Sequence, residues 1–195
     1  MATSSATGGY LQPLAEVPPS SDIDLDVQLQ RVVVGITALP GEMVRPRWQP
    51  GNPRHPEPGT NWCAIGTARI RADAGPAIQH QPADDGSDSY TRHEELDVLA
   101  TFYGPQAQRN ALRMRDGISV PQNTEGLRAI DIRFVETGDI VAVPELMNQQ
   151  WVRRYDLPIR LRRVVRRTYP VLNVLAAQID VDDDTGHVNE TIQVP

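Results

Sequence analysis

The sequence predicts an α+β fold, in which a mixed and mostly antiparallel β-sheet with long hairpins is flanked by helices. Three features indicate it: a capped amphipathic segment near the N-terminus, two alternating segments in mid-chain, and a long alternating segment near the C-terminus. The 195 residues, 39% of them hydrophobic and 23% charged, suffice for one domain with its own core. We therefore predict a single domain over residues 21–181, preceded by a flexible arm over 1–20 and followed by an acidic arm over 182–195.

The first regular element is predicted to be a helix that begins at Ser20-Ser21-Asp22 and ends before Pro40. Serine and aspartate are favoured at helix N-caps, and acidic residues stabilise the first turns through the helix dipole. A run of valines would also suit a strand, but the cap favours a helix. Its apolar residues form one broad face: Ile23, Leu25, Val27, Leu29, Val32, Val33, Val34, Ile36 and Leu39.

A proline-rich segment from Met43 to Gly59 predicts an irregular loop, since it contains five prolines. We expect Trp48 and Trp62 to anchor the ends of this loop. Long ordered loops of this kind often serve as binding elements. The segment is therefore a candidate contact region.

Two alternating segments, residues 60–71 and 90–103, predict antiparallel strands joined as a hairpin by a polar tip. The second has apolar residues on one face and polar residues on the other, which indicates one buried and one wet or interfacial face. Arg69 and Arg71 are predicted to meet acidic residues across the pair, at about 0.2–1 kcal/mol per contact. The candidate partners are Glu94, Glu95 and Asp97.

The next segment predicts two short helices and two short strands. Pro105 suits the first turn of a helix. A second helix is predicted over residues 122–129, and short strands over 132–135 and 139–143. The first helix has a modest apolar face that ends at Gly117: Ala107, Ala111, Leu112 and Met114.

Residues 148–181 predict two long antiparallel strands separated by Pro170. The first alternates apolar and charged residues from Ile159 to Arg162, as a half-buried strand does. The alternation slips by one from Arg163 onward, which is typical of a β-bulge. This strand is predicted to present its arginines along an outer face, so those charges require a partner or water.

The charge pattern limits the classes of partner that these arginines are expected to bind. The net charge is −6, and every basic residue except histidine is arginine. Nucleic acid, carboxylates of a neighbouring subunit, and solvent are the three candidates. Nucleic-acid binding requires a basic field around the site, which an acidic chain with several aspartate clusters does not favour. We expect carboxylates.

Catalytic and metal-binding patterns are weak. Cys63 with His80 or His93 would be the candidate nucleophile and base of a small hydrolase, but nothing in the sequence fixes their geometry. The run from Asp180 to Gly186 resembles a calcium loop, yet its glycine falls one position late and Thr191 stands where a glutamate is needed. We expect neither an enzyme nor a cofactor. A single cysteine fits a reducing compartment, and no apolar run is long enough to span a membrane.

Five sequence segments occur in this order: DLDVQLQRVVVGITALPGEMVRPRWQP, GTNWCAIG, FYGPQAQ, PELMNQQWVRRYDLPIRLRR and RRTYPVLNVLAAQ. Together they resemble the phage neck (tail) terminator family of tailed bacteriophages and prophages. The similarity covers most of the chain, from about Ile23 to His187. It implies a structural virion protein, assembled in the host cytoplasm as a hexameric ring on the last tail-tube ring. The ring would stop tube growth and join the tail to the neck, and no catalytic residues are implied.

The resemblance also implies partners: further copies of the chain, the tail tube protein, a neck connector or stopper protein, and the sheath if the tail is contractile. DNA would pass through the lumen without specific binding. Another head–tail joining protein and a nucleic-acid-contacting module are the alternatives. We hypothesise that one residue set forms the subunit or partner interface: Trp151, Arg153, Arg154, Arg160, Arg162, Arg163, Arg166, Arg167, Asp182, Asp183 and Asp184.

Overall fold

The computed structural model describes most of the chain, namely residues 3, 5–16, 21–49, 54–147, 149–173, 177–182 and 188–194. For residues 15–16, 177–182 and 188–194 only the backbone is described. In chain order the elements are β1 (Ala15–Glu16), α1 (Asp22–Thr37), β2 (Val44–Pro46), β3 (Trp62–Ala72), β4 (Ala77–Gln81), β5 (Ser87–Tyr103), α2 (Ala107–Ile118), α3 (Glu125–Arg128), β6 (Ile132–Thr137), β7 (Val141–Ala142), β8 (Glu145–Met147), β9 (Gln150–Val152), β10 (Arg154–Tyr169), β11 (Ala177–Asp182) and β12 (Val188–Val194).

The chain divides into two compact units, of which the larger comprises Val17–Pro76 and Thr91–Arg166. Its main sheet has the order β2-β3-β5-β10, and β6 and β7 also pair with β10. Strand β2 runs parallel to β3, whereas β3 with β5, and β10 with β6 and β7, are antiparallel. The predicted α+β class, with a mixed and mostly antiparallel sheet and flanking helices, is confirmed.

Helix α1 begins and ends where the sequence predicts, with Ser21 as its N-cap and Ala38 in a left-handed C-cap conformation. Val32, Val34 and Ile36 are partly buried against the core, as the predicted broad face requires, and the fully buried residues of the helix are spaced by four positions. These are Leu25, Leu29, Val33 and Thr37. Ile23 was expected on this face but is exposed.

The predicted hairpin of β3 and β5 is present, with Cys63 opposite Phe102 and Ile65 opposite Ala100. A register shift between Thr67 and Arg69 leaves Ala68 without a partner residue. Beyond it Arg71 meets the acids as expected, since its Nη2 lies 3.0 Å from Asp97 Oδ1 and 3.5 Å from Glu95 Oε2. Arg69 stands opposite Asp97 in the register. The buried face of β5 is the predicted one, namely Leu96, Val98, Ala100 and Phe102.

Helices α2 and α3 follow as predicted, with a 3-10 turn over Pro121–Thr124 between them. Ala107, Ala111 and Met114 are buried, whereas Leu112 is exposed and was wrongly placed on the apolar face. Strands β6 and β7 also confirm the prediction of two short strands before Pro144.

Strand β10 corrects the prediction of a bulge at Arg163. Its odd-numbered residues from Leu157 to Val165 are all buried, without interruption, and Arg163 is one of them. The alternation of apolar and charged residues in the sequence is interrupted because a charged residue, Arg163, occupies a core-facing position. The backbone itself continues as a regular strand there. The actual irregularity lies between Arg160 and Leu161, where Val135 of β6 has no opposite residue in the register.

The smaller unit comprises Met1–Glu16, Ala77–Tyr90 and Arg167–Pro195. Here β1 pairs antiparallel with the end of β10, and β4 occupies part of the tip that was predicted to be a polar turn. Strand β11 pairs antiparallel with β12, so the predicted hairpin between the arginine-rich strand and the segment after Pro170 is wrong. The predicted N-terminal arm contributes β1, and much of the predicted C-terminal arm lies outside the described residues.

Candidate interaction surfaces

Most of the arginines of the predicted interface already have acidic partners within the chain. Arg160 Nη1 bonds Glu136 Oε1 of the neighbouring strand β6 at 2.6 Å, and its Nε lies 3.6 Å from Asp97 Oδ1. Arg166 Nη1 lies 3.2 Å from Asp131 Oδ2. The side chains of these pairs are between 34% and 59% exposed, so each pair stabilises the fold by about 0–1 kcal/mol. The main effect of these ion pairs is to neutralise positive charge on the face of β10 that was predicted from the sequence to be strongly basic.

Arg163 lies inside the protein. Its Nε donates a 2.7 Å hydrogen bond to Oε2 of Glu94 on β5, and the two side chains are only 8% and 14% exposed. The sequence prediction grouped Arg163 with the outward-facing arginines. The structure instead makes it a buried charge that links two strands, and such a residue is positioned to hold the sheet together.

Arg154 occupies a polar cluster at the start of β10. Its guanidinium group donates to Asp156 at 2.8 and 3.0 Å and to Glu145 at 3.1 Å, and it lies 5.8 Å from the ring centre of Tyr103. The hydrogen bond to Asp156 is the main cause of the raised pKa of Arg154. Burial raises the pKa of the Tyr103 hydroxyl, partly opposed by the charge of Arg154.

Three arginines of the predicted set have no acidic partner among the residues that the structure describes. Arg153 and Arg162 are exposed, and Arg167 is half-buried in the smaller unit. The acids predicted to complement them fall largely outside the description: Asp183 and Asp184 lie outside the described residues, and only the backbone of Asp182 is described.

Two exposed apolar patches lie on the larger unit. Trp151 on β9 is 73% exposed and stands opposite exposed Leu146 of β8; we call these two residues the hairpin patch. Trp48, Ile23 and Ile70 are also exposed, Trp48 at 85%, and line a depression of about 520 Å³ that we call the groove patch. Trp151 belongs to the predicted interface set. Trp48 and Trp62 were both expected to anchor the proline-rich loop, but Trp62 is buried and Trp48 is exposed.

A pocket of about 170 Å³ beside the parallel pair β2 and β3 was not predicted. Three arginines and a histidine line it, together with the stacked rings of Trp62 and Tyr103. The proline-rich loop was the only sequence signal for it. Three scattered arginines in that loop give no periodicity, so only the fold brings them together.

The sequence matches a known family of proteins. Residues 24–185 match the model of the phage neck terminator protein family. This match spans far more than half of the chain. The chain belongs to the phage neck terminator family. No curated protein matches it. Its role is therefore that of a structural protein of the bacteriophage virion, located at the tail and neck and in contact with other tail or neck proteins.

Cys63, the candidate nucleophile, is completely buried, and burial raises the pKa of its thiol, whereas a reactive cysteine needs a depressed pKa and access to solvent. Within the described residues no cluster of three or more His, Cys, Asp or Glu is arranged to hold a metal ion. In that same part of the chain, no helix has the length and apolar character needed to cross a membrane.

Proposed function

We propose that this neck terminator protein assembles as a homohexameric ring on the last ring of the tail tube, ends tube growth and joins the tail to the neck. The observation that carries the proposal is the pair of exposed tryptophan patches. Exposed apolar residues that lie side by side can form interaction sites, and tryptophan is enriched among the residues that contribute most to protein interfaces. Family membership supplies the location at which such patches would be buried.

Two different patches on one chain suit a ring. A head-to-tail contact buries one patch of a subunit against another patch of its neighbour, and it closes into a ring when the rotation per subunit is right. The hairpin patch and the groove patch are built from separate elements, β8–β9 and α1, β3 and the proline-rich loop. They would meet between neighbouring subunits.

The arginines without an acidic partner in the described residues would form further contacts with neighbouring proteins. We propose that Arg153, Arg162 and Arg167 meet carboxylates of a neighbouring subunit or partner, with the acidic stretch Asp182, Asp183 and Asp184 as a complementary surface. Each exposed ion pair would supply about 0–1 kcal/mol. Apolar burial at about 25 cal/mol per Å² would therefore provide most of the ring's stability.

The proposed partners follow from this position. One face of the ring would contact the tail tube protein, and the other a neck connector or stopper protein, with the sheath as a further partner in a contractile tail. DNA would pass through the lumen without sequence-specific contacts, because most arginines of β10 are neutralised by acids of the same chain. Assembly would take place in the host cytoplasm.

The experiment uses a phage in which the gene for this chain is inactivated. Intact or altered copies of the chain are then supplied in trans. Electron microscopy should show tails of irregular length that fail to join heads, and the native chain should restore both properties. Trp151→Ala and Trp48→Ala should restore them poorly, whereas Leu112→Ala, which truncates an exposed apolar residue outside both patches, should restore them fully. Uniform, joined tails in the absence of the chain would contradict the proposal.

A further inference from the structure

The pocket beside β2 and β3 combines positive charge with flat aromatic surface. Its lining includes Arg45, Arg47, Arg54 and His55, and none of its described lining residues is acidic. The sequence between Gln49 and Arg54 also contains no acidic residue. Four other arginines of the chain each have a carboxylate within 4 Å: Arg154, Arg160, Arg163 and Arg166. Among the described residues, the pocket arginines differ from these in having no such partner.

Neutral oxygen atoms hold two of the pocket arginines in place. Arg45 donates from Nη1 to the Arg54 carbonyl at 2.8 Å and from Nε to the Glu42 carbonyl at 3.3 Å. Arg47 donates from Nη1 to the buried hydroxyl of Thr101 at 2.9 Å. These contacts orient the guanidinium groups without neutralising them. Each guanidinium has five N–H donors, so several remain for a ligand.

The backbone fixes the same geometry. Arg47 continues the parallel pairing of β2, since its N–H donates to the Ile65 carbonyl at 2.9 Å. A side chain at Gly66 would lie 3.3 Å from Arg47 Cβ, so glycine leaves room for Arg47 to cross β3 closely. On the other side, the Trp62 ring stacks on Tyr103 at 4.2 Å and His55 lies 5.7 Å from the Trp62 ring. The stacked rings give the pocket a flat aromatic wall.

We propose that this pocket binds an acidic side chain, glutamate or aspartate, presented by a neighbouring protein of the assembly. Arginine pairs with carboxylates through two parallel hydrogen bonds, and the crowding of like charges would be relieved when a carboxylate enters. A volume of about 170 Å³ is below the 300–1,000 Å³ usual for small-molecule sites and suits one side chain. A nucleic-acid backbone fits less well, because a chain with net charge −6 repels a polyanion.

This inference deepens the proposed function by giving the chemistry of one partner contact, and it rests on that function only for the origin of the acidic side chain. The test uses the isolated full-length chain, so its result does not depend on ring formation. The probe is acetyl-Ala-Glu-Ala-Glu-Ala-amide, with the glutamine peptide of the same length as its neutral match. Nitrogen-15 NMR of the arginine Nε–H groups and of the β2 amides reports binding.

The glutamate peptide should shift the Arg45 and Arg54 resonances saturably, with a dissociation constant on the order of 1 mM. Arg45→Gln and Arg54→Gln should each weaken binding about tenfold, since each removes a charge-assisted hydrogen bond. Arg54→Gln keeps the backbone carbonyl that holds Arg45, so a loss of binding there is not a loss of fold. Arg109→Gln, the same change at an exposed arginine outside the pocket, should leave the constant unchanged.

Several results would overturn the proposal. One is a lack of saturable shifts at peptide concentrations well above about 1 mM. Equal binding of the glutamine peptide would show that charge is not recognised, and unchanged binding in both pocket variants would place the site elsewhere. Tighter binding of a short oligothymidylate than of the acidic peptide at physiological salt would mean that the partner is a nucleic acid.

Discussion

Arg163 Nε and Glu94 Oε2 form a 2.7 Å hydrogen-bonded ion pair that links β10 to β5 in the interior of the larger unit. Both side chains lose most of their hydration on folding, a cost that their mutual attraction offsets only while both are present. The pair therefore makes each residue dependent on the other. Removal of one charge should be more harmful than removal of both.

The first prediction concerns this pair. Arg163→Met should lower the free energy of unfolding by roughly 3 kcal/mol or more, because it leaves the Glu94 carboxylate buried without its partner. The double variant Arg163→Met with Glu94→Leu should recover much of the loss. Urea denaturation measures both effects: where the slope of free energy against urea concentration is unchanged, a shift of the denaturation midpoint reports the change in stability.

The matched control for this pair is Arg162→Met, one residue earlier on the same strand but exposed. Its effect should stay within about 0.5 kcal/mol, as for most surface substitutions. Equal effects of the Arg162 and Arg163 substitutions would refute the buried role of Arg163. A double variant that is less stable than either single variant would refute the coupling.

The second prediction concerns the contact between α1 and α2. A Cβ at Gly117 would overlap Cγ2 of Ile36. Gly117→Ala should therefore lower the free energy of unfolding by about 1–3 kcal/mol, the usual cost of overpacking. In an Ile36→Ala background, which removes the overlapping methyl group, the same substitution should cost little, and a double-mutant cycle in urea measures the difference.

Gly35 in α1 provides the control for this close approach. It is exposed, and a Cβ there would meet nothing within 4 Å. Gly35→Ala should stabilise the protein by about 0.5–1 kcal/mol, since alanine loses less conformational freedom in a helix. If both glycine substitutions stabilise to the same extent, the two helices are not packed as closely as described.

The third prediction concerns His80 in the smaller unit. Its Nδ1 lies 2.7 Å from Asp88 Oδ1, and its Nε2 lies 2.8 Å from Asn173 Oδ1. Asn173 Nδ2 donates to the carbonyls of Pro82 and Asp84, which turns its oxygen toward His80. Both ring nitrogens thus face acceptors, which favours the protonated ring. The hydrogen bonds to Asp88 and then to Asn173 raise the pKa of His80.

The raised pKa of His80 makes the stability of the folded unit depend on pH in a defined direction. The protonated ring stabilises the folded unit fully below the unfolded pKa of about 6.5, and this contribution is lost as the pH rises through the folded pKa. Asp88→Asn should lower the pKa of His80, as followed by NMR titration of its ring protons. Asp85→Asn should change it much less, because no hydrogen bond joins that carboxylate to His80. An unchanged His80 pKa in Asp88→Asn would exclude this network.

Local patterns in the sequence were sufficient for most elements. The N-cap at Ser21, the alternation from Leu96 to Phe102 and the pairing of Arg71 with Asp97 all follow from residue spacing along the chain. The prediction failed where a residue's role depends on a distant partner. The apparent slip at Arg163 is one example, because its partner Glu94, which makes a charged residue tolerable at this buried position, is far away in sequence.

The sequence by itself determined the α+β class, the hairpin of β3 and β5, the arginine-rich strand and the resemblance to the terminator family. Only the tertiary structure decided which arginines are neutralised, that β11 pairs with β12, and that Arg45, Arg47 and Arg54 surround one pocket. The physical reason is that hydrophobic periodicity fixes which side of an element is buried. The neighbour of each charge is fixed by strand register and close packing, which short-range patterns do not encode.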